Sequence, residues 1–92
     1  MKTYLACFDI QDDRTRRLVG KLLLRYGERV QYSVFEVAFR QPSELERLKQ
    51  EAQALLEEGD DLRFYYLNSE ARRFSHDVAN RPLAQVPAAI IV

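Results

Sequence analysis

One cysteine, one histidine, three glycines, three prolines and no tryptophan are the scarce residues of this 92-residue chain. A single cysteine excludes an intrachain disulfide and a cysteine-based zinc site. So little glycine and proline, beside 47% apolar residues, excludes a low-complexity or disordered chain. The lone histidine, His76, stands in a polar stretch, and nothing is placed to activate Ser33 as a nucleophile. Net charge is also missing, with 14 Lys and Arg against 14 Asp and Glu, which argues against indiscriminate nucleic-acid binding. No apolar run approaches membrane-spanning length, and Met1-Lys2-Thr3 leads straight into a strand-like run too short for an export signal. The expectation is an intracellular, cytoplasmic protein in a reducing compartment.

What is present reads as one domain over residues 1–92, near the lower end of independent folding. Burial against a second copy would therefore help. The charges are segregated. Residues 1–40 hold eight Lys and Arg against five Asp and Glu, residues 41–61 two against seven, and residues 62–92 four against two. One basic and one acidic face are compatible with that distribution, as are two merely solvated ones.

Asp9 ends the run Tyr4-Leu5-Ala6-Cys7-Phe8-Asp9-Ile10, which is otherwise fit for burial. A carboxylate there needs a partner, a proton or a metal. The charges that follow, Asp12, Asp13, Arg14, Arg16 and Arg17, bring that acid to a basic helix entrance, an arrangement suited to phosphodiesters. Read without further context, Asp9 is equally a capping or salt-bridged acid at a strand end.

Tyr4 to Ile10 is predicted as a central strand. Asp12 or Asp13 caps a helix running to Gly27, with Thr15, Leu18, Val19, Leu22, Leu23 and Tyr26 on its apolar face. Arg14, Arg17, Lys21 and Arg25 form a stripe on the other side, either a solvated face or a track for nucleic-acid phosphates. Arg29 to Phe39 is extended, with a reversal expected near Tyr32-Ser33. Ser43 and Glu46 form a capping box for a second helix that ends near Gly59, and Leu62 to Leu67 is a last strand. Asn68 to Pro87 has no clear pattern. The order is β-α-β-β-α-β, an α+β ferredoxin-like arrangement whose two helices cover one sheet face. A sheet-to-sheet homodimer would cover the other face. The apolar tail, residues 86–92, is expected to form a strand on the partner's sheet edge.

Phe8-Asp9-Ile10, then Arg14 and Arg16, then Tyr26-Gly27, then Arg29-Val30-Gln31-Tyr32-Ser33-Val34-Phe35-Glu36 closely resemble, in order and spacing, the small CRISPR-associated endonuclease family. This is the second of the two universal spacer-acquisition proteins. The resemblance is strong over residues 4–36 and weaker over Leu62 to Leu67. It implies a homodimer in which Asp9 of each chain faces its counterpart across a shared Mg²⁺ or Mn²⁺. It also implies catalytic positions at Asp9, Arg16, Arg29 and Phe35, with phosphate contact for the arginines and site shaping or dimer packing for Phe35. Phe8 departs from the family, where Tyr often precedes the aspartate and adds a hydroxyl near the metal.

The implied function is a metal-dependent endonuclease acting on RNA or double-stranded DNA in CRISPR adaptation, with the CRISPR integrase as partner. The alternative implied by the same family is a non-catalytic scaffold that bridges integrase subunits on DNA held by Arg14, Arg16, Arg17, Lys21 and Arg25.

Overall fold

The computed structural model describes residues 1–85. Seven elements follow in order: β1 (Lys2–Asp9), α1 (Asp13–Leu24), β2 (Gly27–Gln31), β3 (Val34–Phe39), α2 (Pro42–Leu55), β4 (Asp61–Leu67) and the short α3 (Ser69–Arg73). The four strands form one antiparallel sheet in the order β2-β3-β1-β4, so β1 is central and the architecture is α+β and ferredoxin-like. The tail expected to pair with a partner, residues 86–92, lies outside the described residues.

Along β1 the side chains alternate between two environments. Tyr4, Ala6 and Phe8 point into the core with Phe35, Val37 and Phe39 of β3, Val19, Leu22 and Leu23 of α1, and Leu48 and Ala52 of α2. Thr3, Leu5, Cys7 and Asp9 point to the opposite, helix-free face. Phe35 has no exposed surface and stacks on Phe8 at 6.1 Å between ring centroids. Full burial of such a ring contributes about 1.5–3 kcal/mol relative to leaving it in water.

Of the helix ends, the Asp12 cap is where the sequence places it, and the others differ from expectation for local reasons. Asp12 caps α1: its Oδ2 accepts from the Thr15 amide at 2.8 Å and the Thr15 hydroxyl at 3.0 Å. These bonds hold the Asp12 carboxyl below the usual carboxylate range. The far end stops at Leu24, where the Arg25 amide turns back onto the carbonyls of Leu22 and Leu23. Gly27 is therefore not a helix cap but the first residue of β2. A Cβ there would lie 1.8 Å from the Glu36 carbonyl oxygen, so only glycine admits this close approach of β2 to β3.

The capping box of α2 sits two residues earlier than Ser43 and Glu46. Glu44 Oε1 accepts from the amides of Arg40 and Gln41, and Pro42 opens the helix, where no amide donor is needed. This helix ends at Leu55 rather than near Gly59, which instead supplies the positive φ of 90° in the turn before β4. The reversal at Tyr32-Ser33 is where the sequence places it, with a bulge between Arg29 and Gln31.

The stretch after β4 has more order than its composition suggests. Asn68 Oδ1 caps α3 through the Ala71 amide, and Asp77 gathers the amides of Ala79 and Arg81 into a tight turn. The chain then returns so that the Leu83 amide meets the Ser75 carbonyl. Ala84, only 3% exposed, donates its amide to the Glu36 carboxylate on the helix-free face. That face is thus partly covered by the chain itself. Leu5, Cys7 and Val34 remain half-buried and Tyr65 is 49% exposed.

Candidate functional site

Asp9 is the last residue of β1, and the pleat directs it to the helix-free face at the end of the sheet. Its register partner is Asp61, which opens β4. Two carboxylates opposite each other on one face repel. Asp61 is relieved by Arg63, whose Nε donates to Oδ2 at 2.7 Å. Asp9 is exposed and has no hydrogen bond or ion pair among the described residues.

Arg16 holds the turn that follows Asp9. Its Nη1 donates to the carbonyls of Ile10 at 2.7 Å and Gln11 at 2.8 Å, and its Nη2 pairs with Asp13. At the same end of the sheet, on the helix side, Phe8, Asp13, Arg16, Arg17, Arg29 and Tyr32 line a hollow of about 280 Å³. Arg29 lies over Phe35, 5.1 Å from its centroid, and 5.9 Å from that of Tyr32, with Gly20 of α1 beside its guanidinium.

A carboxylate without a cation and a basic hollow thus share one end of the sheet. The family model for the CRISPR-associated protein Cas2 matches residues 1–73, from β1 through α3. The chain belongs to the Cas2 family. It is 37% identical over 92 residues to the CRISPR-associated endoribonuclease Cas2 3 of Synechocystis sp., covering 100% of both chains. Among solved structures it resembles a chain of a partial Cas6-RT-Cas1–Cas2 complex, with TM-score 0.83, 44% identity and 100% of both chains covered. It also resembles Streptococcus pyogenes Cas2, with TM-score 0.74, 30% identity, and 83% and 98% of the two chains covered.

Within this Cas2-family chain, the four positions expected to act together divide between the two faces. Asp9 looks to the helix-free face, whereas Arg29 and Phe35 belong to the helix side. Arg16 spans the turn between them, its guanidinium already occupied by two carbonyls and Asp13. Phe35 has no exposed surface in the single chain, and its ring forms the floor under Arg29. In the stripe, Arg14, Arg17, Lys21 and Arg25 are all exposed. Arg25 is tied to Glu51 of α2, which turns that end of the stripe toward helix–helix contact.

Asp61, Arg63 and Tyr32 were not singled out by sequence reasoning. For Asp61 and Arg63 the missing information is strand register, which alone sets Asp61 opposite Asp9. Tyr32 carried a usable signal, an aromatic residue in a tight turn between two strands. Two further groups on the helix-free face have altered acidities. Burial pushes the Cys7 thiol up, with Arg63 pulling it the other way. Burial also pushes the Glu36 carboxyl up, opposed by the Ala84 amide and reinforced by Glu28 across the hairpin.

The donors at Asp9 suit a hard cation. A carboxylate free of counterions can coordinate Mg²⁺ or Mn²⁺, which take one or two carboxylates with waters and phosphate oxygens. Among the described residues no three His, Cys, Asp or Glu side chains converge on such an ion.

No helix among the described residues is long and apolar enough to cross a membrane.

Proposed function

We propose that this Cas2-family protein is a homodimeric, metal-dependent endonuclease that cleaves RNA or DNA phosphodiesters during CRISPR adaptation. The observation that carries this reading is Asp9: an exposed carboxylate, facing another carboxylate, with no cation of its own. A second copy of Asp9 across a shared Mg²⁺ or Mn²⁺ would complete the ligand set, and the ion would supply an acidified water and charge neutralisation at the phosphate. The endoribonuclease name of its full-length Synechocystis relative supports the same chemistry.

Two features support the homodimer. Leu5, Cys7, Val34 and Tyr65 leave part of the helix-free face uncovered. β4 is an edge strand with no neighbour on its outer side among the described residues. Such an edge is a template for another chain, and residues 86–92 of the partner are the segment proposed to fill it. The chain's own residues would act as follows. Arg16 fixes the Asp9 turn through the Ile10 and Gln11 carbonyls, Arg29 on its Phe35 floor contacts phosphate, and Arg14, Arg17 and Lys21 track the nucleic-acid backbone.

The resemblance to a chain solved in a Cas6-RT-Cas1–Cas2 complex favours a second activity, as a scaffold between Cas1-type integrase subunits. The two readings separate on one variant. Asp9→Asn should lose Mg²⁺-dependent cleavage of RNA and DNA, and should keep spacer integration if scaffolding is independent of the metal. Cleavage at the wild-type rate by Asp9→Asn would end the nuclease proposal.

A further inference from the structure

We propose that the hollow between the first turns of α1 and the β2–β3 tip seats a single nucleotide at the end of a nucleic-acid strand. Its terminal phosphate would lie between Arg17 and Arg29 and its base against Tyr32, with Gly20 as the positioning residue that makes room for Arg29. This rests on the reading of the protein as a nucleic-acid enzyme but not on the metal site.

The charge balance is the first support. Three guanidinium groups and a single carboxylate line the hollow, and that carboxylate, Asp13, is already held by Arg16. Arg17 and Arg29 have no anionic partner among the described residues. Two uncompensated cations lining one small space repel each other, and a bound anion removes that repulsion. A terminal phosphate carries close to two negative charges at neutral pH, an internal phosphodiester only one. Guanidinium forks match phosphate oxygens in pairs, which a lysine does not.

Size and shape are the second support. At about 280 Å³ the hollow has the size of a small ligand pocket, with space for one nucleotide rather than a run of them. Tyr32, at the hairpin tip, is 71% exposed, an unburied ring beside phosphate-binding cations. Exposed rings in that setting are stacking platforms for bases.

Gly20 is the third. It is buried in the interior of α1, where glycine is disfavoured, and it is not among the positive-φ glycines. Backbone geometry therefore does not call for it; the closeness of Arg29 does. A Cβ at this position would lie 3.2 Å from Arg29 Nη2 and 3.7 Å from Phe35 Cζ. The missing side chain leaves room for Arg29 over Phe35 and near Tyr32, held without a counterion and ready for an arriving anion.

The test is fluorescence anisotropy in EDTA, where no cleavage occurs, with short single-stranded oligonucleotides that end in either phosphate or hydroxyl. The wild-type protein should prefer the phosphate-ended strand by ~10-fold, the worth of a charge-assisted hydrogen-bonded contact. Gly20→Ala and Arg29→Gln should abolish that preference. Gly20→Ala should nevertheless melt at or above the wild-type temperature, since alanine favours the helix. Tyr32→Ala should weaken both strands alike. Asp9→Asn should keep the full preference, which separates this site from the metal proposal. Equal affinity for the two strand ends would identify the ligand as internal backbone and overturn the strand-end seat. A full preference in Gly20→Ala would remove Gly20 as a positioning residue.

Discussion

Nη1 of Arg16 donates to the Ile10 carbonyl at 2.7 Å, fastening the chain one residue beyond Asp9. With the bond to the Gln11 carbonyl at 2.8 Å, it braces the turn by which the chain leaves β1. Arg16→Ala strips the donor from both Ile10 and Gln11. The expected loss is about 1–3 kcal/mol of stability, and each kcal/mol lowers the melting temperature of a domain this size by about 4–8 °C. Thermal unfolding checks it. An unchanged melting temperature with lost cleavage would instead assign Arg16 to phosphate contact alone.

Glu36 gives the fold a pH dependence. Burial first, and Glu28 after it, raise its carboxyl above the ordinary range against the pull of the Ala84 amide. The folded state therefore binds this proton more tightly than the unfolded chain does. Its contribution is complete below the ordinary Glu value, about 4.3, and is lost as pH rises through the raised folded value. Glu36→Gln keeps an acceptor for Ala84 without the charge. Urea midpoints measured between about pH 4 and pH 8 should fall less steeply for Glu36→Gln than for the wild type. Parallel curves would contradict this.

Gly27 and Gly20 should respond in opposite ways to the same substitution. Gly27→Ala drives a methyl into the Glu36 carbonyl, backbone against backbone, with no side chain free to yield. A loss of about 3 kcal/mol is expected, read as a lower denaturant midpoint. Gly20→Ala meets the flexible end of Arg29 at 3.2 Å and Phe35 Cζ at an ordinary contact distance of 3.7 Å, and should cost nothing in stability.

Phe35 tests the difference between a core residue and a site residue. Phe35→Ala should destabilise the protein by about 3–5 kcal/mol and abolish cleavage by unfolding it. Phe35→Leu retains most of the packing and should regain most of the stability. It should bind phosphate-ended strands less well than the wild type, because the aromatic floor under Arg29 is gone. Chemical denaturation beside anisotropy on the same samples resolves the two effects.

Strand and helix identity was legible because β1 and α1 carry strong periodicity, and the Tyr32-Ser33 reversal because two apolar extended runs flank it. Apart from the Asp12 cap of α1, the helix ends were not. Gly27 has the composition of a helix stop, yet it answers to the Glu36 carbonyl on a neighbouring strand, which no local pattern reveals. Ser43 and Glu46 match a capping box, but Pro42 starts the helix and moves the box to Gln41 and Glu44. Asp9 was conspicuous as a charge in an apolar strand. Its face was not conspicuous, and neither was Asp61 as its neighbour, because pleat and register are properties of the assembled sheet. Arg16 and Arg29 look alike in the sequence. In the fold one is spent on backbone carbonyls and the other is left facing a hollow.

The central claim is that Asp9 is half of a metal site completed by a second chain. Counting bound Mn²⁺ by electron paramagnetic resonance during titration of the protein tests it most directly. The account predicts about one high-affinity Mn²⁺ for every two chains, lost in Asp9→Asn while the dimer persists. One ion for every chain, or undiminished binding by Asp9→Asn, would contradict it.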